Sequence, residues 1–262
     1  MIGADFYQMY LSGAALWHGQ YTGLYPLPMN GLFALLALLP YRVSLYGAMF
    51  GGLALFVAAL RRRALMWILF YPILSGVLLG QIDLVFFWLL NRASPVALAL
   101  MTLKPQLFPL ALPALLSDRA KWKPFAVACA VLYGPVTLTR PMWIVEWIRQ
   151  SNDGRLDWQW STTLMAWSIA GVAILLALAA WRRLDWRAIF WTCNPTLRWY
   201  DFGLMAGGSA WLIPASWACW GLVQITGGRP VAIALLGAVD FILRNYTIKT
   251  KSLLRPTAEM SR

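Results

Sequence analysis

Histidine is nearly absent: His18 is the only one in 262 residues. One imidazole excludes the usual histidine-rich metal sites and argues against serine–histidine–aspartate chemistry; His18 itself reads as an aromatic packing contact. Cysteine is scarce too. Cys129, Cys193 and Cys219 are odd in number and lack metal-ligand spacing, so they read as small apolar filler; no cofactor is expected, and dependence on a divalent metal is left open. The first residues contain no basic stretch leading into an apolar run, so no secretory signal peptide is expected. No internal repeat or low-complexity segment is visible, which argues against a transporter built from inverted repeats.

The scarcest commodity is charge. Only 12% of residues are charged, against about 25% in a soluble domain that must wet its surface. What replaces it is apolar: 60% hydrophobic residues and a mean hydropathy of +0.61. A surface with so little charge is expected to face lipid. The fold expected is therefore all-α, a polytopic membrane bundle of roughly eight to ten short or broken helices at ~20 residues per crossing. Residues 1–243 would form one transmembrane domain and residues 244–262 a basic polar tail.

The net charge of +12 is not spread as a nucleic-acid-binding surface would be. It sits in clusters between apolar runs, at Arg61–Arg63, at Arg119, Lys121 and Lys123, and at Arg182, Arg183 and Arg187. Loops of that kind stay cytoplasmic. If all three do, the uncharged runs at 43–60, 64–82 (kinked by Pro72), 124–139 and 162–181 are crossings. The proline-broken block 84–116 returns as short helices, and 202–222 crosses again. Residues 188–201 and 230–243 remain ambiguous. Residues 1–28 and 140–161 then lie outside. Residues 5–20, mixed aromatic and polar, read as an outer interfacial helix followed by a turn-rich loop. Trp143, Trp147, Trp158 and Trp160 flank the outer loop at headgroup level.

An ionisable residue within or beside an apolar span is a functional candidate, because burying its charge is expensive. Asp5, Gln81 with Asp83, Lys104, and Arg198 with Asp201 qualify. Each has a structural alternative. Asp5 can cap a helix, as can Gln81 and Asp83. Lys104 can snorkel to an interface, and Arg198 and Asp201, three apart, can pair with each other.

The segments ADFYQMYLSGAALWHGQYTGLYP (4–26), PMNGLFALLALLP (28–40), GQID (80–83), LKPQLFPL (103–110) and NPTLRWYDFGLM (194–205), in that order, resemble glycosyltransferase family 87. That family comprises polyprenyl-phosphate-sugar-dependent membrane enzymes of the C-type glycosyltransferase fold. Because only four residues precede Asp5, the resemblance implies a short or N-terminally truncated relative. It implies a hexosyltransferase, most simply a mannosyltransferase, in the plasma membrane with its active face extracytoplasmic. Asp5 would be the catalytic base, Lys104 and Arg198 would bind the donor phosphate, and Gln81 and Asp83 would hold sugar hydroxyls. Expected partners are the polyprenyl-phosphate-sugar donor, membrane lipids and other membrane proteins at the Trp-rich faces, with no nucleic acid. The alternative is a catalytically silent accessory subunit derived from such an enzyme.

Overall fold

Prolines and glycines decide where the apolar runs break. The computed structural model describes residues 2–23, 25–152 and 199–226, and among these the chain is helical with no strand. The expected runs at 162–181 and 230–243, Trp158, Trp160 and the tail from 244 lie outside the described residues.

Helix α1 (Ala4–Trp17) packs on α2 (Leu27–Leu36). The chain before α2 was expected to be loop, but Pro28 occupies the first turn of a helix, where its missing N–H is no loss. The two helices meet at Gly13. A Cβ there would lie 2.2 Å from the Phe33 carbonyl carbon and 2.3 Å from its oxygen, backbone atoms that cannot rotate away. Gly13→Ala is therefore expected to destabilise the protein by about 1–3 kcal/mol, read as a lower unfolding temperature in detergent. An unchanged transition would contradict this crossing.

Helix α3 (Tyr41–Leu60) ends where Arg61 takes φ 53°. A 3-10 turn through Arg61–Arg63 and short α4 (Ala64–Trp67) lead on to α5 (Tyr71–Leu79), which brings Gly80 back beside Leu45 of α3. The expected kink at Pro72 is instead a helix break. Its ring opposes a helical carbonyl four residues back, at Ile68, so one helix stops at Trp67 and Pro72 opens the next. The 84–116 block yields α6 (Asp83–Arg92), α7 (Pro95–Met101), a 3-10 turn at Phe108–Ala111 and α8 (Leu112–Leu116). Ser94 caps α7 by accepting from the Ala97 amide. Helix α9 (Trp122–Thr139) follows, and α10 (Trp143–Asn152) turns from it by 88°. Trp143 is not at an exposed boundary: it is buried, stacked on Tyr133 between these two helices.

The run 202–222 is not one helix. A 3-10 segment, Trp199–Met205, precedes α11 (Leu212–Thr226), and Gly207 at φ 87° separates them. The 3-10 segment packs on α5 and α6, a placement a continuous helix would forgo.

Helices α3 and α6 run parallel, because Gly52 meets Leu84 and Phe56 meets Phe87 in the same sense. Helices α7 and α9 are also parallel, joined by Thr102 and Tyr133 at one end and lining a common groove back to Val96 and Lys123. Charge is segregated accordingly. Arg61, Arg62, Arg63, Arg92, Arg119, Lys121 and Lys123 gather at one end, with Asp118 the sole described acid there. At the other end Arg42, Lys104, Arg140 and Arg149 are matched by Asp5, Asp83, Glu146 and Asp201. The core is aromatic and aliphatic, centred on Phe6, Phe33, Phe56, Trp67, Ile73 and Phe87. Around it large apolar side chains stay exposed, among them Phe50, Leu65, Val131 and Leu138.

Candidate functional site

The site forms where α5 stops. Gly80 adopts φ 73° and closes α5 with a Schellman motif, the Gln81 amide donating to the Gly76 carbonyl and the Gly80 amide to Val77. Gly80 also has no room for a side chain: a Cβ would lie 2.6 Å from that of Phe6. This close approach brings the start of α1 against the turn. The Gly3 amide donates to Leu78 at 2.8 Å, and the Tyr41 hydroxyl donates to the Gly3 carbonyl at 3.1 Å. Asp5 thereby reaches the turn, and Gln81 Nε2 donates to Asp5 Oδ2.

Two residues on, Asp83 opens α6, where the helix N-terminus favours a carboxylate. Its Oδ1 accepts from Lys104 Nζ. Lys104 comes from the turns that follow α7, and its ammonium also donates to Asp201 Oδ1 at 2.7 Å. All three side chains are buried, Lys104 to 2% exposure. So large a burial of an ammonium is sustainable only with its counter-charges in place.

These contacts bear on the structural alternatives for Asp5, Gln81, Asp83 and Lys104. Asp5 does not cap α1, whose N-cap is Gly3 with no side-chain acceptor, and neither Gln81 nor Asp83 caps α6. Lys104 does not snorkel. Asp201 Oδ1 accepts from Lys104, 97 residues away; the expected pairing of Asp201 is with Arg198, which lies outside the described residues. The Lys104 ammonium, expected to meet a donor phosphate, is shared by two carboxylates.

Two atoms remain unmatched. Gln81 Oε1 and Asp83 Oδ2 are buried and find no hydrogen-bond partner among the described residues. Burying such acceptors unpaired costs about 1–3 kcal/mol each. Asp5, half-buried, is the most accessible carboxylate of the group.

Sequence reasoning missed Tyr25. It lies in the loop between α1 and α2, and burial pushes its phenol above the ordinary value. Lys104 lowers it, while Asp83, Asp5 and Asp201 raise it, which places its hydroxyl within electrostatic reach of all four. The phenol therefore stays neutral and able to donate. Buried Asn30 holds this loop: its Nδ2 donates to the Tyr25 carbonyl at 3.2 Å, and its Oδ1 accepts from Ser12 at 2.9 Å. The signal was present as an amide inside the apolar run LPMNGLFALL.

Among the described residues, Lys104 is shared by Asp83 and Asp201, and Asp5 joins them through Gln81. Hydroxyl donors would satisfy the orphaned oxygens. No acidic or histidine cluster of metal-binding geometry occurs among the described residues.

Comparisons with family models, curated proteins and solved structures return no match. The family resemblance rests on motif order alone.

Proposed function

We propose that this chain is a polytopic membrane glycosyltransferase that takes a hexose from a polyprenyl-phosphate donor at the extracytoplasmic face. The observation that carries this reading is the pair of orphaned buried acceptors, Gln81 Oε1 and Asp83 Oδ2, beside the accessible carboxylate of Asp5. A general base next to acceptors shaped for hydroxyl donors is what sugar transfer to an alcohol requires.

The membrane part draws on surface chemistry. Tyr41–Trp67 is long and apolar enough to cross a bilayer, yet only 22% of its most apolar stretch is buried. A core helix of a soluble protein would be mostly covered. Arg119–Thr139 with Trp143–Arg149 passes the same test of length and composition as a bent pair. The shorter apolar helices would complete the bundle as broken spans, tolerated where irregular backbone lines a cavity or is buried in protein. The cation-rich end would be cytoplasmic, which puts Asp5 outside. In a background lacking Cys129, Cys193 and Cys219, a cysteine at position 149 should react with an impermeant maleimide added to intact cells. One at position 62 should react only after lysis. The opposite pattern would reverse the orientation.

In the reaction proposed, the acceptor oxygen attacks the anomeric carbon as the bond from that carbon to the phosphate oxygen breaks. Asp5 takes the hydroxyl proton, and the electron pair leaves with the polyprenyl phosphate. Gln81 and Asp83 accept from sugar hydroxyls, and Tyr25 can donate to a ring or hydroxyl oxygen. Arg198 is the cation for the departing phosphate. Lys104 would join it only on releasing a carboxylate, and its first role is to hold Asp83 and Asp201 in place. The test is turnover of a radiolabelled polyprenyl-phosphate hexose in proteoliposomes, with a sugar nucleotide as control. Turnover of the lipid donor alone is expected. Folded, reconstituted protein that turns over no such donor would overturn the proposal.

A further inference from the structure

The end of the molecule opposite the Asp5 cluster carries a second feature, a groove of about 790 Å³ between α7 and α9. Its walls are apolar, formed by Val96, Ala99 and Leu100 on α7 and Val127, Ala128 and Val131 on α9. Alanines at 99 and 128 leave the space that larger residues would fill. At its mouth stands Lys123, the one charged residue in the lining, with exposed Arg92 and Arg119 at the same end.

We propose that this groove binds one anionic phospholipid of the cytoplasmic leaflet, its headgroup phosphate on Lys123 and an acyl chain along α7 and α9. The proposal rests on the membrane reading above but not on the transferase reading. Charge complementarity selects the headgroup: the mouth is cationic, and Asp118, the one described acid nearby, is engaged in capping the Ala120 amide. Length selects the leaflet. From Lys123 to Leu132 the groove follows α9 for about 14 Å at 1.5 Å per residue, close to half of a ~30 Å hydrocarbon core. It ends near the hydrogen bond between Thr102 and Tyr133, 2.7 Å. A donor lipid whose phosphate lies at the Asp5 end would enter from the opposite side, so the two lipids do not compete for one headgroup position.

The experiment uses the full chain purified in a neutral detergent, titrated with dioleoyl phosphatidylglycerol or dioleoyl phosphatidylcholine and read by native mass spectrometry. One phosphatidylglycerol should bind at least tenfold more tightly than phosphatidylcholine. Lys123→Gln should weaken it about fivefold, the worth of one lysine at an anionic surface. Ala128→Phe should block the groove and abolish the single-lipid adduct. Equal binding of the two lipids, or an adduct unaffected by both variants, would overturn the proposal. Carbonate extraction separates the two levels. A chain released into the soluble fraction defeats the membrane reading itself, whereas a retained chain without lipid preference defeats only the groove.

Discussion

Lys104→Met is expected to prevent accumulation of folded protein. The side chain is nearly the size of the original, so no large cavity forms, but Asp83 and Asp201 lose their shared counter-charge in a buried setting. Breaking a buried ion pair by deleting one partner typically costs ~3–5 kcal/mol, a large share of a marginal stability. Here Asp83 loses its one described partner and Asp201 loses one of its contacts. If uncompensated charge is the cause, neutralising it should restore folding. Lys104→Met combined with Asp83→Asn and Asp201→Asn should recover a monodisperse species in detergent and most of the parental unfolding temperature. A single Lys104→Met variant as stable as the parent would show that the ion cluster contributes nothing to the fold. A lysine that only gripped a donor phosphate would change binding and leave folding alone.

The sequence exposed the members of this cluster because each interrupts an apolar run, and a buried charge has to be explained. It could not expose the pairing. Lys104 and Asp83 are 21 residues apart, and Lys104 and Asp201 are 97 apart, separations to which neither helical period nor local spacing responds. The three-residue spacing of Arg198 and Asp201 is a relation that a one-dimensional reading can see; the contact of Asp201 with Lys104 is not. The runs that became α3 and α9 were legible, since an uninterrupted apolar stretch between charged ends leaves few alternatives. The broken stretches were less so. At 202–222 the average apolarity hid a Gly-Gly-Ser break that the residues state openly, and at Pro28 a loop was expected where proline opens a helix. The approaches at Gly13 and Gly80, which fix where α1 lies and so where Asp5 points, depend on tertiary contact and leave no periodic trace.

Asp5 carries the central claim, and its setting makes one substitution decisive. It accepts from Gln81, is the most accessible carboxylate of the cluster, and caps no helix. Asp5→Asn keeps the shape and leaves an amide oxygen for Gln81 to donate to. Folding should therefore change little. What the amide cannot do is accept the proton of an acceptor hydroxyl, and loss of general-base assistance lowers rates by about 10²–10⁴-fold. The measurement is the rate of hexose transfer from a polyprenyl-phosphate donor in proteoliposomes by Asp5→Asn and parental protein, with matched unfolding temperatures and donor binding. The account predicts a loss of at least a hundredfold at unchanged stability and donor affinity; transfer at the parental rate by a folded Asp5→Asn protein would contradict it.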